Sequence, residues 1–158
     1  MGTQSSRMKI ANRLVSRVVL DTNVLLSALV FNSGVMARLR SLWMTEHIQP
    51  YASKETIQEL IRVLANKKFK LDAADQESLL SDYLPFAQIA NTLLNVPKIG
   101  LPICRDPKDQ MLLDLAVSAK VEYLVTGDQD LLVLADTPDL GFKIVKPLEF
   151  LALHQLIN

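Results

Sequence analysis

The 158-residue sequence has few of the features that mark a secreted or membrane-inserted protein. Cys104 is its single cysteine, so no internal disulfide can form, which agrees with a reducing compartment. No apolar run approaches the roughly 20 uninterrupted residues that a membrane-spanning helix requires. The polar opening, residues 1–6, lacks the apolar segment of a secretory signal. We therefore predict a cytoplasmic protein that has no membrane partner.

Net charge and aromatic content are also low. Seventeen basic and seventeen acidic residues cancel, so the overall charge neither indicates nor excludes a nucleic acid as partner. Aromatic residues make up 6% of the chain, which argues against a platform of rings on which bases stack. Any contact with nucleic acid would therefore rest mainly on phosphate groups.

Several common catalytic motifs are missing too. No GxGxxG segment follows the first predicted strand and no Walker motif occurs, so sites for dinucleotides and nucleoside triphosphates lack their phosphate loops. His47 and His154 are isolated in the sequence, and with Cys104 they suggest no nucleophile–base pair and no zinc-ligand spacing. Any catalytic chemistry must therefore depend on residues other than these.

Short β-like apolar runs alternate with longer helical ones, which predicts an α/β fold. Strands are predicted at 18–20, 48–52, 123–126 and 142–145, and helices at 24–29, 36–43, 54–70, 79–94, 107–119 and 147–156. Pro85 is expected to kink or restart the fourth of these helices. Pro97, Gly100 and Pro102 predict a surface loop after it.

One domain is predicted, because the length suits a single hydrophobic core and no linker or repeat interrupts it. We expect the folded domain at 18–150, with the end of a C-terminal helix at 151–158. Residues 1–17 are interpreted as an N-terminal extension that is in part a tag, with Met8 as the natural start.

Two apolar strands each end in an aspartate. The run Val18-Val19-Leu20 leads into Asp21, and the strand at 123–126 leads into Asp128. In open parallel sheets ligands bind outside the carboxyl ends of the strands, and carboxylates that meet there repel unless a cation neutralises them. Mg²⁺ and Mn²⁺ favour such oxygen ligands. With Glu59 and Asp109 as further candidates, the acids predict a site that activates water towards a phosphodiester.

Each of these acids also has a purely structural explanation. Asp21 could cap the following helix, and Gly127-Asp128 could be an ordinary turn with Asp130 as the cap of the next segment. Glu59 falls opposite the apolar stripe of its helix, so periodicity alone predicts a solvated side chain. Asp106 and Asp109 flank a proline at a favourable helix start, where both charges suit the helix dipole. From the residues alone these explanations stay open.

A lysine cluster follows the helix that carries Glu59. Lys67, Lys68 and Lys70 are interpreted most simply as the last turn of that helix, matched to the negative end of its dipole. They could also hold the phosphates of a nucleic acid, which is the second interpretation of the cluster.

Four segments, taken in order, resemble the acidic motifs of a PIN domain over residues 18–149, and the subgroup they are most similar to is that of toxin components of toxin–antitoxin systems. These segments are Val18-Val19-Leu20-Asp21-Thr22-Asn23-Val24-Leu25, Glu55-Thr56-Ile57-Gln58-Glu59-Leu60, Asp106-Pro107-Lys108-Asp109 and Leu124-Val125-Thr126-Gly127-Asp128. The resemblance implies a three-layer α/β/α fold with a parallel sheet of about five strands. It places the acids at the carboxyl edge of that sheet.

Carried over position by position, the resemblance implies four catalytic acids, which are Asp21, Glu59, Asp109 and Asp128. The three aspartates would be ligands, direct or through water, of one or two Mg²⁺ or Mn²⁺ ions, and Glu59 would tune the site or orient water. The resemblance thereby overrides the solvated interpretation of Glu59.

The same resemblance implies supporting roles for Asn23, Thr126 and Asp106. Asn23 and Thr126 match polar residues that support the site in such domains. Asp106 belongs to the DPxD pattern of the subgroup, and we predict a supporting rather than a catalytic role for it.

The activity implied is hydrolysis of an RNA phosphodiester bond that leaves a 5′-phosphate, with an antitoxin protein as partner and a homodimer as a candidate assembly. A non-catalytic PIN-like module that binds a metal or a partner is the competing hypothesis. A phosphatase-like hydrolase is disfavoured, because Asn23 stands where such chemistry requires a second aspartate.

Overall fold

The computed structural model describes residues 15–91 and 104–154, and within these ranges five strands alternate with seven α-helices. The strands are β1 (Ser16–Leu20), β2 (Ile48–Ala52), β3 (Gln88–Ile89), β4 (Tyr123–Val125) and β5 (Lys143–Val145). The helices are α1 (Thr22–Val30), α2 (Val35–Met44), α3 (Lys54–Leu64), α4 (Ala73–Ser81), α5 (Pro107–Ser118), α6 (Gln129–Leu132) and α7 (Pro147–Leu153).

All five strands are parallel, in the order β3-β2-β1-β4-β5. The chain therefore builds one half of the sheet outward from β1 and then returns to build the other half from β4. The switch point lies between β1 and β4, where Leu20 pairs with Val125. Such a switch point leaves a crevice at the carboxyl ends of the two strands, and ligands bind there in open α/β sheets.

Helices cover both faces of the sheet because successive residues of a buried strand point in opposite directions. Val18 belongs to one core cluster, which includes Leu25 of α1 and Leu60 of α3. Val19 belongs to the other, which includes Leu112 of α5. The predicted three-layer α/β/α fold with a sheet of about five parallel strands is confirmed.

The predicted helix at 79–94 is wrong in its bounds. Helix α4 begins at Ala73 and ends at Ser81, a short 3₁₀ turn (Leu84–Phe86) contains Pro85, and β3 follows at the edge of the sheet. Helix α4 ends four residues before Pro85, which lies in the 3₁₀ turn, so Pro85 restarts a short helical segment instead of kinking a long one. The predicted positions 92–94, like the loop with Pro97, Gly100 and Pro102, lie outside the described residues.

The sequence predicted that the lysine cluster forms the last turn of the helix that carries Glu59, and this prediction is wrong. Helix α3 ends at Leu64, and Lys67 and Lys68 lie in a separate 3₁₀ turn capped by the side chain of Asn66. Lys70 has a left-handed backbone with φ of 52°. Ala65 is thus the C-cap of α3, and the lysines belong to the segment after it.

The last helix is also shorter than predicted. Helix α7 ends at Leu153 with His154 as its C-cap, whereas the prediction extended it to position 156, which lies outside the described residues. The imidazole of His154 hydrogen-bonds with Ser16 of β1 (Nε2 to Oγ 3.1 Å), which fixes the end of this helix against the first strand.

The part of the chain that the structure describes contains no single helix that is long and apolar enough to cross a membrane. Helices α1 and α2 reach the required length and composition only when taken together, and they are bent by 95° relative to each other.

Ser53 fixes the start of α3, the helix that carries Glu59. Its Oγ accepts a hydrogen bond from the backbone N–H of Thr56 (3.2 Å), and Thr56 Oγ1 accepts one from the backbone N–H of Ser53 (2.8 Å). This reciprocal capping box satisfies two N–H groups that the helix itself leaves unpaired. Ser53 is therefore the N-cap of α3.

We expect Ser53→Ala to lower the free energy of unfolding by about 1–2 kcal/mol, because Ser53 is buried and its loss leaves a helix N–H without its partner. Urea denaturation of the variant measures this. Ser78→Ala, at an exposed position of α4, is the matched control and should change the free energy by less than about 0.5 kcal/mol. Equal effects of the two substitutions would contradict the capping role.

Candidate active site

Asp21 lies at the switch point, immediately after β1. Its backbone N–H donates to the carbonyl of Val125 (2.9 Å), so pairing between β1 and β4 continues to the first residue beyond the strand. Its side chain also caps α1, since Oδ1 accepts from the N–H of Asn23 (3.2 Å). Capping uses one carboxylate oxygen, and Asp21 still lines the cleft described below. The two explanations open at the sequence level are therefore compatible.

Thr126 links the ends of the two central strands. Its hydroxyl donates to Asp21 Oδ2 (2.6 Å) and accepts from the backbone N–H of Asp128 (3.0 Å). The residue is fully buried, so the hydroxyl has fixed partners. Thr126 therefore orients the Asp21 carboxylate and holds the turn that presents Asp128. The sequence predicted a supporting role for Thr126, and this geometry suits one.

Asp109 enters the cleft from the first turn of α5. Asp106 caps that helix through a hydrogen bond from the N–H of Lys108 to its Oδ1 (2.9 Å), and Asp109 is buried three residues further on. Burial, followed by the negative charges of Asp128, Asp106 and Asp21, raises the pKa of Asp109 to about 6. The structure thus brings together the three aspartates that the sequence singled out.

The electrostatics of Asp21 point the same way. Burial raises the pKa of its carboxyl, and the charge of Asp128 adds to the rise, although hydrogen bonds from Thr126 and Asn23 oppose it. Desolvation and like charges both disfavour the ionised form of an acid. These carboxylates therefore form a site in which a cation would be strongly favoured.

Glu59 occupies the α3 side of the same cleft. Its side chain is only 12% exposed. Helix periodicity alone predicts a solvated side chain, and the structure contradicts that interpretation. The carboxylate accepts hydrogen bonds from Arg62 of the same helix, and Lys108 Nζ lies 3.4 Å from Glu59 Oε1. These partners, Arg62 first, lower the pKa of Glu59. Glu59 thus differs from the aspartates, since its charge already has cationic partners.

The cleft that unites these groups has a volume of about 310 Å³. Of the three clustered lysines, all within the described part of the chain, Lys68 alone lines it, so Lys67 and Lys70 have no place in its wall. The lining consists of Asp21, Thr22, Asn23, Glu59, Arg62, Val63, Asn66, Lys68, Phe69, Asp106, Lys108, Asp109, Leu112 and Asp128.

Asp130 is not among the residues that line the cleft, but it lies close to two of the aspartates that do, and the sequence did not single it out as a ligand. One carboxylate oxygen from each of Asp109, Asp128 and Asp130 lies within 4.8 Å of the others. The sequence suggested Asp130 as the cap of the next segment, but Asp128 caps α6, and its Oδ1 accepts from the N–H of Asp130 (2.9 Å). The available signal was the DxD spacing after β4, which places both carboxylates in one tight turn.

This donor set fits a hard divalent cation. Ligand oxygens on opposite sides of a Mg²⁺ ion are about 4.2 Å apart, twice a bond of about 2.1 Å, so oxygens within 4.8 Å of one another need little movement to share an ion. All the donors are carboxylates, which suits Mg²⁺ or Mn²⁺ better than a thiolate-preferring metal.

Fold and site define a parallel α/β domain with an acidic cleft at its switch point, and a family model described as PIN domain matches residues 17–130. The chain belongs to the PIN domain family, as the sequence predicted. PIN domains are generally nucleases and typically bind divalent metals. The acidic cluster is what that class of protein requires.

Two further comparisons found a relative in sequence and a solved structure of similar fold. The chain is similar to a protein named Uncharacterized protein MJ1680 from Methanocaldococcus jannaschii, at 26% identity over 91% of this chain and 95% of the relative. In fold it resembles a chain in the crystal structure of VapBC2 from Rickettsia felis bound to a DNA fragment from their promoter. That likeness has a TM-score of 0.54 and 17% identity, and it covers 82% of this chain and 98% of the other.

Proposed function

We propose that the protein is a metal-dependent endoribonuclease that hydrolyses RNA phosphodiester bonds. The observation that carries this proposal is the convergence of Asp21, Asp109 and Asp128 at the switch point, with the pKa values of Asp21 and Asp109 raised by burial and by neighbouring carboxylates. Membership of the PIN domain family supports the same class of activity.

In this proposal Asp21, Asp109 and Asp128 hold one or two Mg²⁺ or Mn²⁺ ions, and Asp130 is an additional candidate ligand. When bound, the metal would supply an activated water and stabilise negative charge on the phosphate. The chain fixes the carboxylates for this task, since Thr126 orients Asp21 and the cap at Asp106 places Asp109. Asn23 and Asp106 support the site through the helix starts that they help to form.

Glu59 is the fourth acid of the proposed site. Its carboxylate lines the same cleft as the aspartates, and its cationic partners keep it ionised. An ionised carboxylate can accept a hydrogen bond from a water molecule and orient it. We assign Glu59 this role beside the metal ligands.

We further propose that the protein is the toxin of a toxin–antitoxin pair, with an antitoxin protein and a second copy of itself as partners. The motif resemblance supports this subgroup, and so does the fold likeness to the VapBC2 chain. Co-expression with the product of an adjacent gene, followed by gel filtration of the purified protein, tests the partner and the oligomeric state separately.

The decisive experiment for the activity is cleavage of a labelled single-stranded RNA by purified protein with and without divalent metal. We expect cleavage with Mg²⁺ or Mn²⁺, products that carry a 5′-phosphate, loss of cleavage with EDTA, and recovery when excess Mn²⁺ is restored. A protein that binds Mn²⁺ but cleaves no RNA under these conditions would instead be the non-catalytic metal- or partner-binding module.

A further inference from the structure

The cleft contains a group of cations that the proposed hydrolysis does not use. Arg62, Lys68 and Lys108 line it together with the acids, and we call these three residues the basic wall. We propose that the basic wall binds the phosphate backbone of the RNA beside the scissile bond, and that Glu59 is the positioning residue that holds Arg62 and Lys108 in place. This inference rests on the proposed function and specifies how the same site takes its substrate.

The geometry of the ion pairs leaves the cations accessible. Glu59 is 12% exposed, whereas the side chains of Arg62 and Lys108 are 60% and 56% exposed. A guanidinium carries five N–H donors and an ammonium three. Arg62 directs its Nε and Nη2 donors to Glu59, so donors remain for a phosphate oxygen. The Glu59 carboxylate thus fixes Arg62 and Lys108, whose side chains are otherwise exposed to solvent.

The two anchored cations come from different elements. Arg62 is one turn after Glu59 on α3, whereas Lys108 lies in the first turn of α5, next to Asp109. Glu59 therefore links two helices that both line the cleft. A phosphate that contacts both cations would be held at a fixed place relative to Asp109.

The position of Lys108 is difficult to explain by stability alone. It is the second residue of α5, close to the positive end of the helix dipole, where a cation is disfavoured. Places where a sequence breaks such a local rule are commonly functional sites. Contact with Glu59 offsets part of this cost. Binding of a phosphate would explain why a lysine stands at this position.

The negative charge of the aspartates is a second reason to expect that cations in the cleft bind the substrate. Asp21, Asp109 and Asp128 would repel a polyanionic substrate, and a bound metal cancels only part of their charge. Cations beside the acids attract the neighbouring phosphates, and the RNA releases its own counterions when it binds them. Lys68, whose ammonium lies 5.1 Å from the centre of the Phe69 ring, extends the wall along the 3₁₀ turn.

The test is RNA binding measured by fluorescence anisotropy, with a labelled single-stranded oligonucleotide and Ca²⁺ to occupy the acids. We expect Arg62→Ala and Lys108→Ala each to weaken binding about tenfold, because each removes a charge-assisted contact. Each should also reduce the slope of log affinity against log salt by about 0.7, the value for one phosphate contact on a single strand.

Lys67→Ala and Lys70→Ala are the matched controls, since these neighbouring lysines do not contribute to the lining of the cleft within the described residues. They should leave affinity and salt slope close to those of the unchanged protein. Glu59→Gln keeps the size of the side chain and removes its charge, so it should weaken RNA binding although it makes the cleft less negative. A purely electrostatic effect of Glu59 would strengthen binding instead and would overturn its positioning role.

The outcomes separate this inference from the proposed function. Equal RNA affinity of Lys108→Ala, Arg62→Ala and Lys67→Ala would overturn the basic wall, whether or not the protein cleaves RNA. Selective weakening in a protein that cleaves nothing would support the wall and contradict hydrolysis. Where cleavage is present, the wall variants should raise KM with little change in kcat, as expected when ground state and transition state lose the same contact.

Discussion

We expect Asp21→Asn to lower the rate of metal-dependent RNA cleavage by roughly a thousandfold or more, while the fold is retained. The substitution removes a negative charge from the cleft and replaces a carboxylate oxygen, proposed above as a metal ligand, by an amide nitrogen. Asp21 is held by Thr126 and by the N–H of Asn23, so a neighbouring acid cannot easily take its place. Initial rates on a labelled single-stranded RNA, at saturating Mn²⁺, measure the effect.

The stability of the Asp21→Asn variant should change little. The amide oxygen can still accept from the N–H of Asn23, so the cap of α1 survives, whereas the buried hydroxyl of Thr126 loses the carboxylate oxygen to which it donates. Burial disfavours the charge of Asp21 in the folded protein, and a neutral amide avoids this cost. The loss of the acceptor for Thr126 and the relief of the buried charge oppose each other, so we expect the free energy of unfolding without metal to change by less than about 1 kcal/mol.

Asp136→Asn is the control for this experiment. Asp136 is exposed, lies outside the lining of the cleft, and loses the same charge when substituted. Its variant should cleave RNA at the rate of the unchanged protein. If Asp21→Asn retains cleavage in a preparation free of contaminating nucleases, the assignment of the site is wrong.

The fold could be predicted to the extent that it depends on local patterns. The apolar run before Asp21 predicted β1, and the Asp106-Pro107 start predicted α5, since both signals are contained within a few residues. Strand β3 was missed because it is two residues long and its pairing with β2 depends on the sheet edge that β2 offers. Such pairing is a tertiary effect that no short window contains.

The site shows the same division. Asp21 and Asp128 could be placed side by side from the strand ends alone, given a parallel sheet. Glu59 could not, because the helical period put it on the polar face, and only the packing of α3 near α5 makes that face a cleft wall. Its partners Arg62 and Lys108 are far apart in sequence, so their meeting on one carboxylate has no local signature. The catalytic roles of these residues remain predictions that the experiments above address.

Metal binding should stabilise the protein strongly at neutral pH and much less in acid. The pKa of Asp109 is raised to about 6 in the folded protein, compared with 3.8 for an unperturbed aspartate. Below pH 6 a proton competes with the metal for this carboxylate, so the affinity for Mn²⁺ should fall about tenfold per pH unit. With Mn²⁺ at a hundred times its dissociation constant at pH 7.5, we expect about 2.7 kcal/mol of stabilisation and a rise in Tm of roughly 5–10 °C.

Without metal the pH dependence should have the opposite sign. Between pH 3.8 and about 6 the folded protein keeps a proton on Asp109 that the unfolded chain releases, so Asp109 contributes a loss of stability as pH rises through this window. Thermal denaturation at pH 5 and 7.5, with Mn²⁺ or EDTA, measures both effects. In Asp109→Asn the group that titrates is gone, so the contribution of Asp109 in EDTA and most of the gain from Mn²⁺ should disappear together. An equal Mn²⁺-induced rise in Tm at both pH values would show that Asp109 is not a ligand.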